Sequence, residues 1–300
     1  MDSADGALRA AAALGPYFAW ERRSTTAAEL PATGDLSIDD VPAADGRSGG
    51  VVPAGGDWSG GVVSAGGDWS GDDVPTPVRR SGGGWRPLTA LTDPEAVAER
   101  IEAARAVLHG PVRAVASVTF LGIASRLVSP PFAALVLAGV LPVPDRLWWR
   151  PVPSGPLPIA YESAGTVPAD TRTFVATAVM DTIAPVLAAF ADRYRISARV
   201  MWGNVASALA GAAGVLADSR PQHADRAGMV LERALAEPPL SGMGVLAQPD
   251  PGQARRFLIR HNCCLYYRIA GGGVCADCVL MPDPVRRRAW GAALARSAAP

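Results

Sequence analysis

The sequence predicts an α+β fold: a mainly helical body, a small β-sheet and a cysteine-bearing C-terminal element. Three observations carry this prediction. Apolar segments with helical spacing and capping residues fill most of residues 85–250. Short runs of strand character interrupt or follow them, at Arg146–Tyr161 among prolines and at Phe257–Arg260 and Leu265–Ile269. All four cysteines fall in one stretch near the end, from Cys263 to Cys278.

Taken in order, Leu8–Phe18 has the apolar spacing of a short amphipathic helix within an N-terminal segment, residues 1–32. Residues 33–84 are rich in Gly, Asp, Ser and Pro and hold an 11-residue tandem repeat, Gly49–Ser59 then Gly60–Ser70. Two glycine-rich copies are too few for a solenoid, so this region is expected to be a disordered insert. A mainly helical body, residues 85–250, opens with Thr92-Asp-Pro-Glu95, a capping-box pattern that starts a helix running to Leu108. Val112–Leu127 reads as a buried helix, and Ser129 as the cap of a separate one that starts at Pro130-Pro131 and ends near Gly139. A long helical pattern from Arg172 to Tyr194 is expected to kink at Pro185. Ser197 caps the next helix, which carries Trp202, Gly203, Asn204 and Ser207; Asn204 and Ser207 share a face, and Gly203 allows another segment to come close. Asp225–Ala236 is the following helix, Pro238-Pro239 closes it, and Val285–Ser297 is the last helix in a C-terminal region, residues 251–300.

Composition narrows the function. The chain has 28 acidic and 28 basic residues, so no global field recruits nucleic acid or an anionic membrane. The start lacks a basic and apolar leader, and the longest apolar run, Phe132–Leu141, is about half of a bilayer span, so no transmembrane segment and a cytoplasmic location are expected. Ser241-Gly-Met-Gly244 lacks the strand before it and the third glycine of a dinucleotide fingerprint, so the chain offers no nicotinamide motif.

The four cysteines are arranged as Cys263-Cys264, ten residues, Cys275, two residues, Cys278. Core cysteines would be scattered among the apolar segments, and two disulfides in one short loop would add little to a chain of this size. A metal centre remains. Structural zinc takes its ligands from two knuckles, and only Cys275 and Cys278 form one. The adjacent pair must turn if both sulfurs are to converge. A two-iron cluster collects its thiolates more loosely; spacing favours it and leaves zinc open. The plant-type ferredoxin spacing is absent.

The run CCLYYRIAGGGVCADCVL (Cys263–Leu280) resembles the C-terminal cluster motif of the bacterial ferric siderophore reductase family, the ferric hydroxamate reductase group. Arg199–Leu209 is similar to the W-G-N-x-A-S-A segment of the same family. Val279 stands where the family pattern has proline. The resemblance implies a 2Fe–2S cluster held by Cys263, Cys264, Cys275 and Cys278, and one-electron reduction of a ferric siderophore, of hydroxamate type, that releases ferrous iron in the cytoplasm. No flavin or nicotinamide motif is present, so electrons are expected from a separate donor, a protein or a small reductant. Alternatives are a 2Fe–2S electron carrier to another acceptor and a zinc-stabilised binding or regulatory protein. Arg260, His261 and Arg268 flank the cysteines as candidates for tuning the cluster, and Trp149, Trp202 and Asn204 for a substrate rim. Residues 251–300 hold eight arginines against Asp277 and Asp283, a positive region suited to steering an anionic chelate or an acidic donor.

Overall fold

The computed structural model describes residues 3–24 and 84–297; the tandem repeat lies outside them. Among the described residues the helices are α1 (Ala4–Ala12), α2 (Pro94–Arg105), α3 (Val112–Ala138), α4 (Thr171–Phe174), α5 (Ile183–Tyr194), α6 (Ala198–Ser219), α7 (Ala224–Ala236) and α8 (Asp283–Ser297). The strands are β1 (Glu21–Arg22), β2 (Arg86–Pro87), β3 (Leu141–Pro144), β4 (Leu147–Trp149), β5 (Ile159–Tyr161), β6 (Ala164–Val167), β7 (Gly244–Ala247) and β8 (Phe257–Arg260). This is the α+β arrangement the sequence predicts.

The helix α3 forms the axis, buried from Ala114 to Val136 and packed against α1, α5 and α6. It is apolar all round, as a helix surrounded by protein must be. The expected break at Ser129 does not occur, and one helix runs through Pro130 and Pro131. Pro130 has no N–H for the carbonyl of Arg126 four residues earlier. The indole of Trp20 supplies the missing donor, with Nε1 2.9 Å from that oxygen. Gly139, at φ 66°, ends the helix in a left-handed cap whose N–H bonds the Leu135 carbonyl. Trp20→Phe leaves the buried carbonyl without its donor, at a cost of about 1–3 kcal/mol. The expected result is a drop of several degrees in Tm by calorimetry; an unchanged Tm would show that the carbonyl is satisfied another way.

Because the helix is continuous, the expectation that no segment reaches spanning length does not hold. By length and composition α3 and α6 could each cross a membrane, although 89% and 67% of their most apolar windows are buried inside the protein. The side chain of Arg126, deep in this packing, donates from Nε to Leu157 O (2.7 Å), from Nη2 to Ala19 O (2.7 Å) and from Nη1 to Pro16 O. Burial lowers its pKa to about 10. It ties the N-terminal segment to the body.

The helical run before α6 breaks where Pro185 withdraws its N–H from Asp181. There α4 passes through a π-helical turn, Val175–Asp181, and α5 leaves at a 41° bend. Strands β1, β5, β4 and β2 form one sheet in that order, with β1 parallel to β5 and the other pairs antiparallel. Strands β3 and β6 pair separately. Strands β7 and β8 form an antiparallel hairpin that delivers the chain to the cysteines. Residues 250 and 251, between the expected body and C-terminal region, lie between its two strands.

Candidate metal centre

The cysteine segment begins where β8 ends, and a single face of α6 holds it. Val200, Gly203, Asn204 and Ser207 recur at three- and four-residue spacing, so they line one side of the helix. At Gly203 the fit is closest: a Cβ there would lie 2.1 Å from Asn262 Oδ1. Asn204, fully buried, donates from Nδ2 to Ser117 O and Oγ on α3 (both 2.9 Å) and accepts from Arg260 Nη2 (2.8 Å). Ser207 bonds the carboxylate of Asp277, while the Arg260 N–H bonds the Asp277 carbonyl at 3.0 Å. On the other side, Ala270 N–H bonds His109 O (2.7 Å), and Gly110 lies against Arg268 and Ile269 so closely that its Cβ would be 3.0 Å away. The Trp-Gly-Asn segment is therefore a dock for the cysteine element.

Within that element the backbone turns at each cysteine pair. Leu265 adopts the left-handed region (φ 69°), and its N–H bonds Cys263 Sγ at 3.3 Å. A 3-10 turn, Tyr266–Arg268, follows where a strand was expected, because N–H groups that bond sulfur cannot also pair in a sheet. The second pair repeats the device: Cys278 N–H bonds Cys275 O (3.0 Å), and Leu280 N–H bonds Cys278 Sγ (3.3 Å). Cys264 and Cys275 Sγ lie 3.6 Å apart. All four cysteines are free; Cys264, Cys275 and Cys278 are buried with Met281 and Tyr266 in a small core of their own, and Cys263 is half-buried.

The sulfurs cannot all be thiolates without a cation among them. Contacts with Cys263 and Cys275, helped by the charge of Arg260, hold the Cys264 thiol far below its ordinary range. The reciprocal contacts push Cys263 and Cys275 up. A cationic metal group would relieve this repulsion, and backbone N–H groups already aim at the sulfurs. Among the described residues no three His, Cys, Asp or Glu side chains are disposed to hold a single ion.

The remaining candidates divide. Arg260 and Asn204 meet beside the cysteines. Trp202 packs with Ala206, Met243 and Leu258 under the hairpin. His261 turns away, its Nδ1 donating to Gly242 O at 3.0 Å on the exposed side. Arg268 is exposed and lies over its neighbour Tyr267, with Nε 3.1 Å from the phenol oxygen. Trp149 is buried in the four-stranded sheet under Arg86 and is not brought to the cysteines. Asn262, Ser117 and Asp277 complete the dock without having been singled out; a serine inside the apolar run of α3 was the one signal available.

A helical body with a docked four-cysteine element is an arrangement able to hold an iron–sulfur group. Residues 260–280 match the family described as FhuF 2Fe-2S C-terminal domain, and residues 143–249 match the one described as Ferric iron reductase FhuF-like transporter. No curated protein matches the chain. The chain is thus similar, over these two segments, to ferric iron reductases that carry this C-terminal domain, and the cofactor the C-terminal match supports is a 2Fe–2S cluster.

Proposed function

We propose that Cys263, Cys264, Cys275 and Cys278 ligate the cluster, and that the protein reduces the iron of a ferric siderophore, of hydroxamate type, and releases it as ferrous ion in the cytoplasm. When bound, the cluster supplies single electrons. Ferrous iron is held less well by hard oxygen donors than ferric, so release follows reduction. The observation that carries the reading is the position of the sulfur site at the surface. Cys263 is half-buried, and Tyr267, Val274, Val279 and Leu280 in the same segment are exposed apolar side chains. These can cover the organic part of a chelate and exclude water from its edge.

Of the arginines expected to steer an anion, Arg286 serves the structure instead. It is buried, and its Nη2 donates to the carbonyls of Cys278 (3.0 Å) and Met281 (2.8 Å), fixing the turn after the last cysteine. Arg287 and Arg288 are exposed. Replacing both by glutamine is expected to slow reduction of anionic ferric chelates severalfold at low salt, with the difference vanishing near 1 M salt. Equal salt dependence in both proteins removes the steering role.

The reading is tested by mixing chemically reduced protein with ferric hydroxamate, catecholate and citrate chelates in a stopped-flow instrument, with a ferrous trap present. Reoxidation matched by trapped ferrous iron supports it and ranks the chelates. A cluster that stays reduced with every chelate, yet passes its electron to another protein, leaves an electron carrier.

A further inference from the structure

Arg260 closes β8 three residues before the first cysteine, and its guanidinium is fully buried. Three oxygens crowd one nitrogen: Nη2 donates to Asn204 Oδ1 (2.8 Å), Asn262 Oδ1 (2.9 Å) and Val200 O (3.4 Å). Nε and Nη1 are buried and have no partner among the described residues. The nearby carboxylate of Asp277 is engaged by Ser207 instead.

A guanidinium taken out of water without an anion costs several kcal/mol, and each unpaired buried donor adds to that cost. Such a group persists where an anion faces it. Two irons in their ferric state with two sulfides and four thiolates form a dianion, and one more electron makes it more negative. The backbone N–H of Arg260 bonds the carbonyl of Asp277, the residue before Cys278, at 3.0 Å, so the arginine is tied to both cysteine pairs. We propose that Arg260 is the counter-charge of the cluster: its free Nε–H and Nη1–H donate to sulfur, stabilise the added electron and raise the reduction potential. Asn204 and Asn262 are the positioning residues that hold it by its far nitrogen. The docking face of α6 thereby sets a redox property as well as a fit. The inference rests on the cluster assignment above.

The test uses the full-length, cluster-loaded protein. Iron, zinc and acid-labile sulfide are measured first; zinc in place of iron and sulfide in the wild type would remove the cluster reading itself, independently of Arg260. Arg260→Gln, Arg260→Lys and Asn204→Ala are then compared by dye-mediated redox titration, with paramagnetic resonance of the reduced state and resonance Raman of the iron–sulfur stretches. In Arg260→Gln the reduced-to-oxidised ratio at a fixed applied potential should fall at least tenfold, equivalent to about 59 mV for one electron. Arg260→Lys should recover part of it, and Asn204→Ala should move the same way by less, with Raman bands shifted in each. Should Arg260→Gln fail to hold its cluster, Arg260→Lys and Asn204→Ala decide: a lowered potential in both upholds the proposal. An unchanged potential and unchanged Raman bands in the loaded variants overturn it.

Discussion

Replacing Cys264, Cys275 or Cys278 by alanine is expected to remove the visible chromophore and to take iron and sulfide from about two each per chain to well below one. All three are buried together, and the chain has no spare cysteine to substitute. Loss of an outer hydrogen-bonding partner already weakens metal sites by about 10–100-fold, and loss of a ligand exceeds that. Cys263, half-buried at the rim, is expected to follow, with a faint residual spectrum in Cys263→Ser where the hydroxyl can replace sulfur. Spectra and iron content of the four single variants check this. Full incorporation in any alanine variant would remove that cysteine from the ligand set.

The second large effect is expected from a single methyl group. A Cβ on Gly203 would stand 2.1 Å from Asn262 Oδ1 and 2.7 Å from its Cγ. Asn262 cannot simply rotate away, because that oxygen accepts from Arg260 Nη2 at 2.9 Å. Overpacking of this kind costs about 1–3 kcal/mol, and loss of the charge-assisted bond adds about 1.5–3 kcal/mol. Gly203→Ala should therefore lower cluster occupancy at least severalfold while helical content by circular dichroism stays the same. Adding Asn262→Gly removes the atoms that clash, so the double variant should regain much of the occupancy. If Gly203→Ala binds a full cluster, the close approach at α6 is not needed to hold the cysteine element.

The centre was legible because its residues are neighbours in the chain. Four cysteines within sixteen positions, and Trp202, Gly203 and Asn204 in a row, announce themselves without a fold. What the residues do to one another was not legible. Asn204 finds Arg260 across 56 positions and Ser117 across 87, and neither Ser117 nor Asn262 looks unusual where it stands. The continuity of α3 depends on Trp20, 106 positions upstream of the carbonyl it satisfies, while the local signal at Pro130-Pro131 says stop. Trp149 misled for a related reason. A run of tryptophan and proline reads the same whether it lines a site or, as here, is buried in a small sheet. Arg286 was read as surface charge because helical spacing alone does not say which face turns inward.

The sulfur-lined core, Cys264, Cys275, Cys278 and Met281 with Tyr266, is very small, and Ile269 with Leu265 and Tyr266 ties its segment to the main core. Without its metal group the cysteine-bearing turns lose their common anchor and their thiols repel as they ionise, while Ile269 keeps one point of the segment in the main core. Amide exchange in iron-free protein should therefore divide in two, fast through this segment and slow along α3 and α6, whereas loaded protein should protect both. An opened segment is also what a protease cuts first. Limited proteolysis of iron-free protein should therefore cut within this segment before it cuts in α3 or α6.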